Sequence, residues 1–236
     1  MAKAKIKKFY SNVSVKQEGP GFTVCLDGKS LKTPAKALVL VPGRELAEAL
    51  AAEWRGQGDE IDLDTLEISR IVHTALDHVG QHREKIVAEL TRFGQSDMIC
   101  YRAEEPEALV QRQAEKWQPL LDWARDTLKA PLETGTGIQP VIQPPASLEA
   151  LRHHIARHDD ISLAALHQAV SLCGSLVIGL ALSCGHLSEQ AAWSAAQVDE
   201  DWQTEKWGHD DEAALRAENR KAALSVAALV LESCRL

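Results

Sequence analysis

The chain contains 236 residues, of which 45% are hydrophobic and 25% are charged. This composition excludes an intrinsically disordered chain, a collagen-like fibre and a miniprotein that depends on disulfides. The net charge of -8 argues against nucleic acid as a partner, because binding to phosphates needs a basic surplus. The charge is uneven: residues 1–36 carry eight Lys and two acidic residues, whereas residues 186–212 carry eight acidic residues and one Lys.

The N-terminal sixty residues predict a small β-rich domain. Strand-like patterns occupy residues 9–15, 22–26, 30–33 and 37–41, and Asp27-Gly28 is a typical two-residue hairpin turn. Pro42 then suits the first turn of a helix, in which Leu46, Leu50 and Trp54 recur at helical spacing.

Helical patterns dominate from about residue 64. The predicted helices cover residues 66–78, 83–93, 106–129 with a kink or restart at Pro119, 147–158 with Ser147 as cap, 160–183, 188–207 and 210–234. Residues 98–101 predict a short strand or an extended linker, and residues 130–146 an extended loop. The expected fold class is α+β, with a β-rich (α/β) N-terminal domain at 1–60 and a larger all-helical C-terminal domain at 61–236.

The most apolar stretch runs from residue 164 to 182, but its uninterrupted part is shorter than the ~20 residues that cross a bilayer. It therefore predicts a buried helix and no stable membrane insertion. No apolar run follows the basic start, and the first Arg is Arg44, so we expect neither a secretory signal nor an Arg-rich transit peptide. The expected location is a bacterial cytoplasm.

Candidate catalytic and metal-binding patterns are weak. Gly28-Lys29-Ser30 lacks the spacer and first Gly of a phosphate-binding loop, and a hairpin turn explains it. His154 and His158 are one helical turn apart, but no cysteine completes a metal site. The five cysteines are scattered without a C-x-x-C pair, which favours a reducing compartment and buried thiols: Cys25, Cys100, Cys173, Cys184 and Cys234. Neither an enzyme nor a cofactor is indicated.

The segment 188–208 carries the strongest functional pattern. At 100° per residue, Ala191, Ala195, Val198 and Trp202 form one stripe, which predicts the core face of a helix. Glu200 lies opposite that stripe, and Trp193 and Trp207 lie within about 20° of Glu200. Two readings are open: a helix buried on two sides, or a binding face with aromatic anchors and a carboxylate. On the second reading both tryptophans are at least partly exposed.

Several blocks along nearly the whole chain resemble one protein family in the same order. They are KKFYSNVSV, FTVCLDGKSLKTP, LAAEW, SDMICYRAEEPEALVQRQAEKWQPLLDWA and VDEDWQTEKWG. The family is that of the assembly chaperones of the ATP synthase F1 sector, the one dedicated to the alpha subunit. Its eukaryotic members act in the mitochondrial matrix.

The resemblance implies a chaperone without catalysis or cofactor. It implies binding to the unassembled alpha subunit, whose beta-facing surface is shielded until the alpha/beta hexamer forms. An acidic residue before the K-W-G signature is important in that family, which indicates Glu200, flanked by Asp199 and Asp201. With Trp193 and Trp207 these form the expected client-binding set. We expect a monomer when free; the alternatives are a helical adaptor for another client and a small metal- or nucleotide-dependent enzyme.

Overall fold

The computed structural model of the chain describes residues 6–137, 139–208 and 210–235. Its N-terminal region holds a three-stranded antiparallel sheet and a two-stranded one, in the orders β2-β3-β4 and β1-β5. The strands are β1 (Ile6–Lys7), β2 (Val13–Glu18), β3 (Gly21–Leu26), β4 (Lys29–Ser30) and β5 (Glu60–Ile61). Two further strands, β6 (Tyr101–Arg102) and β7 (Gly135–Thr136), pair in parallel and tie the 130–146 segment to the helical region.

The predicted turn at Asp27-Gly28 is confirmed. Leu26 faces Lys29 across the turn, and Asp27 and Gly28 have φ of 48° and 79°, as a two-residue hairpin loop requires. The Asp27 carboxylate also accepts hydrogen bonds from the amides of Ser11 and Asn12. Those two amides are thus diverted from the sheet, which is why the first hairpin strand begins at Val13 and not at residue 9.

The predicted strand at 37–41 is reduced to isolated bridges, which join Lys32 to Leu38 and Phe22 to Val41. Residues 33–37 form a turn between Lys32 and Leu38, and Lys36 in this turn has a left-handed φ of 71°. This turn lets the backbone reach the sheet edge at separate points without forming a continuous ladder.

The rest of the described chain is mainly helical, which confirms the α+β class. The helices are α1 (Arg44–Arg55), α2 (Glu67–Thr74), α3 (Gly80–Gln95), α4 (Glu107–Asp126), α5 (Pro145–Ala156), α6 (Asp160–Cys173), α7 (Leu176–Ser183), α8 (Glu189–Ala196), α9 (Val198–Trp207) and α10 (Asp211–Ser233). A π-helical turn, Ala75–Val79, joins α2 to α3, and 3-10 turns occupy Leu63–Thr65 and Met98–Cys100.

Two helices expected to be single are each divided. The predicted helix at 160–183 ends at Gly174, whose φ is 66°, and restarts after Ser175, whose side chain caps the Ile178 amide. The predicted helix at 188–207 changes direction at Gln197, where φ is -103° and ψ is 9°. Each division turns the following helix relative to the preceding one.

Two other helix predictions are wrong in detail. The helix α4 continues through Pro119 without a restart. Both Pro119 and Glu115, whose carbonyl loses its helical partner, are exposed to solvent, so the missing bond leaves no buried group unsatisfied. Ser147 is not a cap, because α5 begins at Pro145 and the Ser147 hydroxyl donates to the Pro131 carbonyl.

The core is centred on α6 and α7, and every residue of α7 is buried. Helices α3, α8 and α10 pack against this pair. The same hydrophobic cluster extends from Tyr10 and α1 in the N-terminal region to Leu231 in α10. The division into domains at residue 60 stays a prediction.

Candidate functional site

One side of α9 is fixed against α4. Trp202 is 8% exposed, and the Arg112 guanidinium and the Lys206 ammonium lie 5.1 and 4.6 Å from its ring centroid. The Asp199 carboxylate accepts a 2.7 Å hydrogen bond from Gln113 Nε2. The Asp199 carboxylate is therefore engaged in a hydrogen bond within the fold. Asp199 is half-buried, whereas Glu200 and Asp201 are exposed.

Helix α4 is itself anchored to α8 and to the segment after β6. The indole Nε1 of Trp117, which is 1% exposed, donates to the Ala195 carbonyl at 2.8 Å. The side-chain oxygen of Gln113 accepts from the Ala103 amide at 2.8 Å. The segment 96–124, which contains Gln113 and Trp117, thus helps to set the position of α9.

Glu200 lies on the other side of α9 and is exposed. Among the described residues, Glu200 forms an ion pair with Arg220 of α10. A guanidinium nitrogen of Arg220 lies 3.9 Å from a Glu200 carboxylate oxygen, which is beyond hydrogen-bond distance. Arg220 is held elsewhere: it donates to the Leu172 carbonyl at 2.7 Å and lies 5.7 Å from the ring centroid of Trp193. The Glu200 carboxylate is therefore available for another cation.

Asp201 is also exposed, but part of its surface is covered. Burial and the nearby Glu205 carboxylate raise its pKa, while Arg112 lowers it. Two adjacent carboxylates, Glu200 and Asp201, thus face solvent beside α10.

The partial exposure expected for both tryptophans is confirmed. Trp207 is 78% exposed, and Trp193 is half-buried against the core. Trp193 does not share a helix face with Glu200, since the turn at Gln197 separates α8 from α9, whereas Trp207 lies on α9 with Glu200. Arg220 lies between Trp193 and Glu200 and connects them.

The core stripe predicted for this segment is partly wrong. Ala195, Val198 and Trp202 are buried, whereas Ala191 is exposed. A single helical wheel does not continue across Gln197, and α8 buries Ala192 and Ala196 in place of Ala191.

Helix α10 contributes residues that the sequence pattern did not indicate. A cleft of about 640 Å³ lies between α9 and the first turns of α10, and Glu200, Asp201 and Trp207 line it. Its other lining residues include Gln197, Ala213, Ala217, Arg216 and Arg220. The sequence carried no signal for the α10 residues, because they lie in a separate helix whose direction only the tertiary structure sets.

Other candidate sites have ordinary structural roles. Both ring nitrogens of His158 are engaged, Nδ1 with the His154 and Ile155 carbonyls and Nε2 with the Ser183 hydroxyl. Within the described ranges, no group of three or more His, Cys, Asp or Glu residues is placed to hold a metal ion. Three of the cysteines are buried, whereas Cys184 is exposed and Cys234 is half-buried.

No helix in the described part of the chain combines the length and the apolar character needed to span a bilayer. The long apolar stretch instead forms the buried α6–α7 pair. Ser175, at the start of α7, is buried with that pair and caps its second helix.

The sequence matches the family model described as ATP12 chaperone protein over residues 7–125, half of the chain. The crystal structure of Atp12 from Paracoccus denitrificans is similar with a TM-score of 0.92 and 37% identity, covering 98% of this chain and 99% of that chain. A variant of that protein in which an aspartate is replaced by lysine gives the same TM-score and identity.

Two further proteins are similar over most of the chain. A crystal structure from Agrobacterium tumefaciens has a TM-score of 0.92 and 41% identity, covering 97% of this chain and 86% of that chain. Protein atp12, mitochondrial, of Schizosaccharomyces pombe is 27% identical over 219 residues, which are 88% of this chain and 75% of that protein. The chain therefore belongs to the ATP12 chaperone family, which confirms its resemblance to a chaperone family of ATP synthase assembly.

Proposed function

We propose that this protein binds the unassembled alpha subunit of the ATP synthase F1 sector and covers the surface that later faces a beta subunit. Family membership supports the chaperone role. The choice of the alpha subunit rests on the resemblance of the sequence blocks to the chaperone family dedicated to that subunit. A chaperone acts by binding, so we assign the protein no catalytic residue and no cofactor.

The observation that carries the proposal is the two-sided character of α9. Asp199 and Trp202 fix one side of the helix to α4, while Glu200 and Trp207 are exposed on the rest of its surface. An exposed Trp beside a carboxylate is typical of a binding surface, because Trp supplies large buried area at interfaces and a carboxylate adds charge selectivity.

A mixed aromatic and acidic surface suits a chaperone that must release its client. A free ring subunit exposes apolar interfaces that aggregate if they stay uncovered. Affinity of moderate strength protects them and still allows a beta subunit, with its larger complementary surface, to displace the chaperone by mass action. Release in this scheme needs no hydrolysis.

We further propose that the protein acts as a monomer in a bacterial cytoplasm. Relatives of known structure come from Paracoccus denitrificans and Agrobacterium tumefaciens, both bacteria, whereas the Schizosaccharomyces pombe relative is mitochondrial. Helices α4 and α10 of the same chain flank the α9 surface, which supports a monomer.

Co-expression with the alpha subunit tests the proposal. We expect alpha to stay soluble and to co-elute with this protein, and added beta subunit to remove it. The Trp207→Ala variant should keep its fold and retain less alpha. Aggregation of alpha in the presence of the folded wild-type protein would refute the proposal, and co-purification of an unrelated client would favour an adaptor.

A further inference from the structure

The cleft between α9 and α10 contains a buried hydrogen-bond donor that has no partner. Gln197 lines the cleft and is 4% exposed, and its Nε2 is buried without a hydrogen-bond acceptor in the described chain. The backbone of Gln197 is fully engaged: its amide donates to the Trp193 carbonyl, and its carbonyl accepts from the Asp201 amide. Its side-chain Nε2 is the donor left without a described acceptor.

A buried donor of this kind calls for an acceptor, because native proteins pair nearly all their buried polar groups. Three carboxylates line the same cleft, against two arginines that are engaged elsewhere in the fold, so the lining carries a negative balance that disfavours an anion as the acceptor. A neutral carbonyl oxygen fits better. The backbone of a bound polypeptide supplies such oxygens at every residue.

The cleft also offers a place for a cation. Glu200 is 3.9 Å from Arg220. Asp201 lies near enough to the Arg112 guanidinium for its pKa to be lowered, but no salt bridge joins Asp201 to a described residue. The two arginines of the cleft are committed elsewhere, Arg216 to Glu212 at 2.6 Å and Arg220 to the Leu172 carbonyl. The Trp207 ring beside these carboxylates adds an aromatic face, which attracts ammonium and guanidinium groups.

The side of the cleft that α10 forms leaves room for a bound polypeptide. Ala213, Ala214 and Ala217 line it with small side chains, and the first buried residue of α10 is Leu224. The N-terminal turns of α10 are therefore not part of the core. The volume of about 640 Å³ lies within the range of pockets that hold small ligands, so the cleft has room for a side chain and a short stretch of backbone.

We propose that the cleft binds a basic segment of the client polypeptide. A Lys or Arg side chain of that segment lies between Glu200, Asp201 and the Trp207 ring. The Gln197 side chain, whose Nε2 is buried in the free protein, turns toward the cleft and donates a hydrogen bond to a backbone carbonyl of the same segment. Arg220 partly neutralises Glu200 while the cleft is empty. This inference rests on the proposed function, because it names the part of the client that the α9 surface recognises.

Substitution of Gln197 by Leu separates recognition from folding. The Gln197→Leu variant removes a donor that has no partner in the free protein, so its thermal midpoint should be unchanged or higher. Its dissociation constant for immobilised alpha subunit should rise about three- to tenfold, the effect of one lost hydrogen bond. The control is Gln190→Leu, an exposed position outside the cleft, which should bind as the wild type does.

A second pair of variants tests occupancy of the cleft directly. The Ala217→Trp variant fills the cleft and should abolish capture of alpha, whereas Ala222→Trp, exposed on another face of α10, should not. Replacing the basic residue of the bound alpha segment by Glu should also abolish capture by the wild type. Glu200→Lys should restore binding to that altered alpha subunit.

The outcomes distinguish the two proposals. If the wild type retains alpha while Gln197→Leu and Ala217→Trp bind it equally well, the cleft is not the client site and the chaperone function stands. That result is expected if an ordered water molecule is the only hydrogen-bond partner of Gln197 Nε2. If the folded wild type does not bind alpha at all, both proposals are wrong.

Discussion

Arg112 and Glu205 form a two-point ion pair that fastens α9 to α4. Two guanidinium nitrogens of Arg112 lie 2.7 and 2.8 Å from the two Glu205 carboxylate oxygens. These hydrogen bonds raise the pKa of Arg112 and lower the pKa of Glu205. Because the same guanidinium lies over the Trp202 ring, one side chain of α4 contacts both a buried and an exposed residue of α9.

We expect Arg112→Gln to loosen α9 without unfolding the protein. The ion pair is solvent-exposed, so its loss should change the thermal midpoint little. Backbone amides of α9 should exchange with deuterium faster, as mass spectrometry can measure, because a contact specific to that helix is gone. The control is Arg125→Gln, since Arg125 pairs with Asp122 and Asp126 of its own helix. Unchanged exchange in α9 would contradict the assigned role.

Asp97 joins two elements of the core and should be sensitive to substitution. Its carboxylate accepts from the amides of Ile99 and Val177, at 3.3 and 3.0 Å, and so caps both a 3-10 turn and α7. Asp97→Asn places an NH2 group where backbone donors converge. We expect the free energy of unfolding to fall by about 1–3 kcal/mol, measured by urea denaturation at neutral pH. An unchanged midpoint would show that these bonds contribute no stability.

The same residue gives a pH dependence with a defined sign. Burial raises the pKa of Asp97 to about 6, against the opposing effect of hydrogen bonds from Ser175 and backbone amides. Because an unfolded Asp has a pKa of about 4, the folded protein holds the proton more tightly, and this group's contribution to stability falls as the pH rises from about 4 to about 6. Above that range it is constant.

The Asp97→Asn variant isolates this contribution, since it cannot titrate there. We expect the difference in unfolding free energy between the wild type and the variant to be larger near pH 4.5 than near pH 7, with other carboxylates cancelling in the comparison. A difference that grows with rising pH would mean that hydrogen bonding outweighs burial at Asp97.

At Gly179, helix α7 packs closely against α6. A methyl group added there would lie 2.4 Å from Val170 Cγ2 and 3.4 Å from Leu166 Cδ1. We expect Gly179→Ala to lower the free energy of unfolding by about 1–3 kcal/mol, since close-packed helices cannot move apart locally without loss. Gly58→Ala, with no heavy atom within 4 Å, is the control. Equal stability of both variants would contradict the packing described.

Local signals in the sequence predicted much of the fold correctly. Three features depend on residues close together in the chain: the Asp27-Gly28 turn, the buried face of α1 and the start of α10. At the start of α10, for example, the Asp210 side chain caps the amides of Glu212 and Ala213. The α+β class follows from these elements and from the helical periodicity beyond residue 64.

The breaks at Gly174 and Gln197 were not predictable from periodicity, because the apolar pattern continues across both. A wheel drawn through Gln197 placed Ala191 in the core, where the structure exposes it. The cleft could not be predicted from the sequence either, because the alanines and arginines of its α10 side form no recognisable sequence pattern. The sequence placed Glu200 and Trp207 on one face and left open whether that face is buried or exposed, and it could not show what lies opposite them.

The central claim is that the exposed side of α9 captures the alpha subunit through Glu200. Its most direct test is co-elution of alpha with the Glu200→Lys variant in size-exclusion chromatography, with circular dichroism to verify the fold. Glu218→Lys, an equal charge reversal at an exposed position outside the cleft, is the control. We predict that Glu200→Lys stays folded and loses alpha while Glu218→Lys retains it; a folded Glu200→Lys variant that binds alpha like the wild type would contradict the account.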